Sequence, residues 1–264
     1  MPPLPAVDSA SDEILRMQVE LRRALAKPVA ERNWIMVIDG RKCVGCQACV
    51  VACVAENVLP PGVTYRSVPE IEYGSYPDVK RYPMPTQCMQ CDRPPCVPAA
   101  NAMAPGAMAK RPDGIVAIDY GKFRGRAAFD AAARACPYRA IYYDDGRFFT
   151  QDSPAFQPYE AAPSHDWGRH WIRTPGRPNE APAGGARKCH FCLHRLEAGL
   201  LPVCVTTCIG RALYFGDRGD GRSLVSELLA KNPRHVLRIR ENRGTEPRVY
   251  YLTDDPAFIA GFHA

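Results

Sequence analysis

No run of 18 apolar residues occurs in this chain, so no segment is long and apolar enough to span a bilayer as a helix. Nor is a secretory leader expected. Arg22-Arg23 is the only twin-arginine pair near the start, and the Ala24-Leu25-Ala26-Lys27-Pro28 that follows is too short and too polar for a signal core. Disulfides need an oxidising compartment, so they are not expected, and the expected location is cytoplasmic. Despite a net charge of +6, there is no dense basic run with interleaved aromatics. That argues against a nucleic-acid partner and for a solvated surface with a patch for an acidic protein. Long uninterrupted elements are scarce, because 26 prolines and 20 glycines punctuate the 264 residues. A core of long helices or a wide sheet is not expected, so something besides apolar burial must hold the fold together.

What the chain does have is twelve cysteines in three runs and one singleton. The first run is Cys43-x2-Cys46-x2-Cys49-x3-Cys53, the second Cys88-x2-Cys91-x4-Cys96, and the last Cys189-x2-Cys192-x11-Cys204-x3-Cys208. Between them stands Cys136, followed by Pro137. The first run has the bacterial ferredoxin spacing, in which three close thiolates wrap one [4Fe–4S] cube and the fourth reaches the other cube of a pair. A short loop can aim three sulfurs at one cube while its amides donate to the sulfides. Zinc is the alternative for a lone C-x2-C, but zinc asks for two pairs rather than three plus one. Haem c is excluded, since no C-x2-C here is followed by histidine.

If the first and last runs form one two-cluster unit, Cys43, Cys46, Cys49 and Cys208 hold one cluster, and Cys53, Cys189, Cys192 and Cys204 hold another. Cys88, Cys91 and Cys96 then need a fourth ligand, and Cys136 is the only cysteine left. Three clusters use all twelve. A fourth would need cysteines at the positions of Ala100, Arg126, Phe129 and Ala132. All four missing ligands belong to the same site, so that site was lost as a unit. The segment from Gly125 to Ala135 reads as an alanine-rich helix, with Phe129 available to fill the vacated space.

Along the chain, residues 1–32 read as an extension that packs on a neighbour or frays. It holds a helix over roughly Asp12 to Ala26, with Ile14, Leu15, Met17, Leu21 and Leu25 inward. Asn33 to Asp39 reads as a strand, Ala48 to Asn57 as a helix, and Lys110 to Asp119, around Asp113-Gly114, as a hairpin. Residues 145–185 form a Pro/Gly-rich insertion whose His165, Trp167, His170 and Trp171 read as a contact surface. His190 and His194 flank Cys192 and line a cluster. From Ser223 to Tyr251 a helix and then an extended segment are expected to wrap the surface.

The blocks Arg41-Lys42-Cys43-Val44-Gly45-Cys46-Gln47-Ala48-Cys49, Cys88-Met89-Gln90-Cys91-Asp92-Arg93-Pro94-Pro95-Cys96, Asp113-Gly114-Ile115-Val116, Ala135-Cys136-Pro137-Tyr138 and Lys188-Cys189-His190-Phe191-Cys192 occur in that order. Together they resemble the iron–sulfur subunits of the dimethyl sulfoxide reductase family of molybdenum and tungsten enzymes. The three-cluster pattern is most similar to the small subunits of pyrogallol–phloroglucinol transhydroxylase and resorcinol hydroxylase.

The resemblance implies an α+β fold of two ferredoxin-like modules, one with a vacated cluster site, carrying loop insertions. Residues 33–80 plus 186–217 would form the two-cluster module and 81–144 the one-cluster module, with 218–264 a C-terminal extension. It also implies a non-catalytic electron-transfer subunit in a soluble heterodimer. The partner would be a large bis-pterin molybdenum or tungsten subunit that hydroxylates or transhydroxylates a phenolic aromatic. In the four-cluster members the site lost here faces a membrane subunit, so no membrane subunit is expected. The alternatives are a sulfur-oxyanion, arsenic or aromatic acyl-CoA oxidoreductase subunit, or a mainly structural, cluster-stapled one.

Overall fold

A computed structural model of the chain describes residues 12–57, 59, 60, 62–145, 164–166, 169–171 and 184–255. In chain order the first half holds α1 (Glu13–Leu25), β1 (Trp34–Asp39), α2 (Ala48–Glu56), β2 (Arg66–Ser67), β3 (Glu70–Tyr73), β4 (Lys80–Pro83), β5 (Thr86–Gln87) and α3 (Cys96–Met103). There follow β6 (Met108–Lys110), β7 (Val116–Ile118), α4 (Arg126–Ala135), β8 (Tyr142–Asp144), β9 (Ser164–Asp166), β10 (Arg169–Trp171) and β11 (Gly185–Arg187). The last part holds α5 (Leu193–Glu197), α6 (Val203–Thr206), β12 (Leu213–Asp217), α7 (Leu224–Lys231), β13 (Val236–Leu237) and β14 (Val249–Leu252). The mixed α/β content fits the expected class.

The largest sheet has the order β12-β1-β14-β13. β1 pairs antiparallel with β12, Met36 opposite Phe215, and parallel with β14, Val37 opposite Tyr250. A strand paired on both edges and covered on both faces should be apolar throughout. All six residues of β1, Trp34-Ile35-Met36-Val37-Ile38-Asp39, are indeed buried. α1 and α7 pack on β12. The Asp12 carboxylate caps α1 by accepting from the Ile14 amide at 2.8 Å.

Two expectations fail here. α1 does not fray or await a neighbour: Met17, Leu21 and Ala24 enter the core of this same chain, while Leu15 is exposed. The tail does not wrap the surface either. β14 is a buried inner strand whose four residues are all shut from solvent.

A second apolar cluster lies under the β6–β7 hairpin, where α3 packs against α4. The helix forecast over Gly125 to Ala135 is α4, and the forecast hairpin is present. β8 pairs with β11, closing the neck of the long insertion. Within that insertion the backbones of His165 and His170 pair between β9 and β10. Trp167 lies outside the described residues.

Candidate metal centre

The cysteine loops share a backbone signature. Gly45 (φ 69°) and Gln47 (φ 61°) lie in the first loop, Gln90 (φ 50°) in the second, and Phe191 (φ 56°) and Cys192 (φ 53°) in the last. Arg139 and Arg211 adopt the same left-handed turn three residues after Cys136 and Cys208. Such turns aim successive amides into a concavity, which is how main chain cradles anions and iron–sulfur groups.

The thiols gather in three sets. Cys43, Cys46, Cys49 and Cys208 line one hollow together with Gly210. The Cys43 thiol is pushed up by burial and by the neighbouring Cys49, Cys208 and Cys46. Cys53, Cys189, Cys192 and Cys204 line a second hollow with Arg66, Asn57 and Tyr65. Burial pushes the Cys53 thiol up, and Cys192, Cys189 and Cys204 add to the rise. Cys88, Cys91, Cys96 and Cys136 are all buried. Burial and then Cys88 and Cys136 raise Cys96, and the same pressures bring Cys91 to about 12.

These hollows fit something larger than an ion. A zinc site closes its sulfurs to about 2.3 Å from the metal. Among the described residues, no three cysteine, histidine or carboxylate groups converge tightly enough for a single ion. Hollows lined by four thiols and cradled by amides suit a [4Fe–4S] core.

Each set is aimed by local structure. Cys49 and Cys53 both lie on α2, one turn apart. Cys96 opens α3, and Cys136 caps the end of α4, so the close packing of that helix pair sets the distance between them. Ala100 and Ala132, both fully buried, lie in this packed region. Phe129 is half-buried and packs against the apolar cluster that holds them, with its ring 5.2 Å from that of Tyr143. The same cluster holds the buried rings of Phe123 and Tyr120. Arg126 is exposed, lies over the Phe129 and Tyr143 rings and pairs with Asp130 at 3.0 Å.

The sets touch one another. Cys204 is raised by burial and, after the opposing effect of Arg66, by Cys49, which links the first and second sets. Cys189, pushed to about 12, is raised by burial and then by Cys88, which links the second to the third. The second set thus neighbours both the first and the third.

Several residues that matter here carried no signal in the sequence. Gln90 is fully buried, accepts from the Val116 amide at 2.8 Å and donates to the Cys189 carbonyl at 2.7 Å. Lys110 donates to the Cys91 carbonyl at 2.6 Å. Arg66 reaches the Cys204 sulfur at 3.7 Å. Each of the three is read only from contacts between distant segments. Of the flanking histidines, His190 lines the second hollow and its Nδ1 accepts from the Leu193 amide at 2.9 Å, while His194 pairs with Glu56 at 2.9 Å.

Comparison with known proteins agrees with this chemistry. The family described as a 4Fe-4S dicluster domain matches residues 79–152 and 177–218. A selenate reductase subunit of Mesobacillus selenatarsenatis is 51% identical over 95% of this chain and 82% of its own length. A tetrathionate reductase subunit of Salmonella typhimurium is 33% identical, covering 86% of this chain and 75% of its own. The arsenate respiratory reductase iron-sulfur subunit of Shewanella sp. is also 33% identical, over 82% of this chain and 94% of its own.

Proposed function

We infer the function from one premise: this chain belongs to the iron–sulfur subunits of the dimethyl sulfoxide reductase family of molybdoenzymes, and is an electron-transfer protein. Homologous iron–sulfur subunits partner molybdopterin catalytic subunits. On that footing the chain carries three [4Fe–4S] clusters in two ferredoxin-like modules. Their ligands are Cys43, Cys46, Cys49 and Cys208; Cys53, Cys189, Cys192 and Cys204; and Cys88, Cys91, Cys96 and Cys136. The observation that carries this reading is the gathering of twelve cysteines into three groups of four, two of them around a hollow.

Bound clusters supply reversible one-electron storage at each site. The residues hold the second site next to the first and the third, shut water from most of the sulfurs and keep the ligand loops rigid. At the first site Cys46 is exposed, with Val44 68% and Ile209 73% exposed beside it. That end faces a partner protein. The lost fourth site leaves no further step beyond Cys88, Cys91, Cys96 and Cys136, which supports a complex without a membrane component.

The substrate of the complex is an oxyanion of selenium, sulfur or arsenic, a reading supported by the three reductases named above. Phenolic hydroxylation, expected from the three-cluster pattern, finds no support in these relatives. The test is to reduce the purified complex anaerobically and add candidate oxidants. Selenate, tetrathionate or arsenate should restore the visible absorption of the oxidised protein within turnover time. Restoration by none of them would sink the oxyanion assignment, and failure of any reductant to bleach the protein would leave only the structural role.

A further inference from the structure

The side chain of Arg66 is 2% exposed, and among the described residues no carboxylate pairs with it. Its Nη1 donates to Gln87 Oε1 at 3.0 Å, to the Met36 sulfur at 3.7 Å and to the Cys204 sulfur at 3.7 Å. Nε and Nη2, both buried, have no hydrogen-bond partner. An unpaired guanidinium in such a place costs several kcal/mol unless negative charge surrounds it. The charges around it are sulfur. Its side chain interacts with both Cys204 and Cys49. Cys49 belongs to the first cysteine set and Cys204 to the second.

The position is built. Arg66 stands opposite Gln87 in the β2–β5 pair. The Gln87 side-chain amide is anchored in turn on the Met36 sulfur at 3.2 Å. Beside it the Ser67 and Thr86 hydroxyls meet at 2.8 Å. A guanidinium fixed this way presents a permanent charge that cannot be neutralised by proton loss.

We propose that Arg66 is the shared counter-charge of the first two clusters, stabilising their reduced forms and so setting both of their potentials. This rests on the cluster reading above. A cube on four thiolates is anionic and becomes more so on reduction, and potentials of such groups follow net charge and nearby hydrogen bonds. A cation between two sites favours the electron on either and softens repulsion between electrons on both. The third site has different cations beside it, Lys110 and Lys188, and does not depend on Arg66.

The test is a dithionite titration of the anaerobic complex followed by electron paramagnetic resonance, with iron and sulfide analysis, on wild type, Arg66→Met and Arg66→Lys. Arg66→Met should keep its iron, move two of the three signals to lower potential and leave the third where it was. Arg66→Lys should bring the two most of the way back. Full iron with no signal moved, or equal movement of all three, overturns the proposal. If Arg66→Met loses iron, retention by Arg66→Lys still supports the counter-charge, whereas equal loss in both variants refutes it. Absence of any reducible cluster in wild type would instead overturn the cluster reading.

Discussion

Arg187 donates to Asp144 across 3.2 Å, with both side chains fully closed to solvent. The pair joins β11 to β8 at the neck of the long insertion. Arg187 also donates to the Tyr65 hydroxyl at 2.9 Å and to the Asn57 carbonyl at 3.1 Å, so one guanidinium ties three segments together two residues before Cys189. Breaking a buried pair from one side costs about 3–5 kcal/mol, because the remaining charge stays behind. Arg187→Met should lower stability by about that much in anaerobic denaturant titration and loosen the Cys189 loop, visible as partial iron loss. A change under about 1 kcal/mol would show that the pair is incidental.

The iron content decides the number of clusters. The anaerobically purified chain should hold about twelve irons and twelve acid-labile sulfides, from three cubes on twelve cysteines. Ligation should also be crossed. Cys53 follows Cys49 on α2 but lines the hollow of Cys189, Cys192 and Cys204. Cys53→Ser should therefore disturb that cluster's magnetic resonance signal and spare the one next to it in sequence. Damage confined to the cluster of Cys43, Cys46 and Cys49 would refute the pairing.

Gly210 offers a sharper probe of the first site. A Cβ there would stand 2.4 Å from the carbonyl oxygen of Lys42, so the segments carrying Cys43 and Cys208 meet where only glycine fits. Cys208 is fixed in the same turn by the Ala212 amide, which donates to its sulfur at 3.2 Å. Gly210→Ala should push the two loops apart and cost the first cluster selectively, leaving about eight irons. Full iron in this variant would mean that the loops do not need to touch.

The cysteine spacings were legible because ligand chemistry is local: three sulfurs for one cube must come from a short loop. α1 and the β6–β7 hairpin were legible from periodicity and Asp113-Gly114, and α2 from following the first cysteine loop. The inner position of β14 was not, since nothing in Val249-Tyr250-Tyr251-Leu252 tells an inner strand from a surface one; the pairing with β1 spans two hundred residues. Leu15 misled because it flanks the apolar face of α1, whereas the buried Glu20 lies within that face and adds nothing to the apolar pattern. Arg66 and Gln90 were invisible for the same reason as β14. Each acts on a loop remote in sequence.

Gln90 joins the second cysteine loop to the last through Cys189, and its other end holds Val116 in β7. Gln90→Met keeps the volume but leaves a buried carbonyl and a buried amide without this partner, at about 1–3 kcal/mol for each group. The expected result is lower stability with faster oxygen damage to both adjoining clusters, followed as the loss of visible absorption in air. Gln90→Glu, which keeps the acceptor for Val116 but not the donor for Cys189, should fall between the two. Wild-type oxygen tolerance in Gln90→Met would show that the bridge does not shield them.

The packing of the helix pair α3–α4 should govern the third site. Ala100 and Ala132 are both 0% exposed and Ala128 is 2% exposed. Cys96 opens one helix and Cys136 closes the other, so any widening between the helices separates two sulfurs assigned to one cube. Overpacking such a contact costs about 1–3 kcal/mol and shifts backbone. Ala132→Leu should therefore lower the iron count from about twelve towards about eight, with the signals of the other two clusters unchanged. The converse experiment places cysteine at Ala100, Arg126, Phe129 and Ala132 together. Arg126 lies in solvent and Phe129 is turned towards Tyr143, so the four sulfurs would not surround one space, and no fourth cluster should assemble. About sixteen irons in that variant, or a full third cluster in Ala132→Leu, would show that the helices can part and that the vacated site is still open to metal.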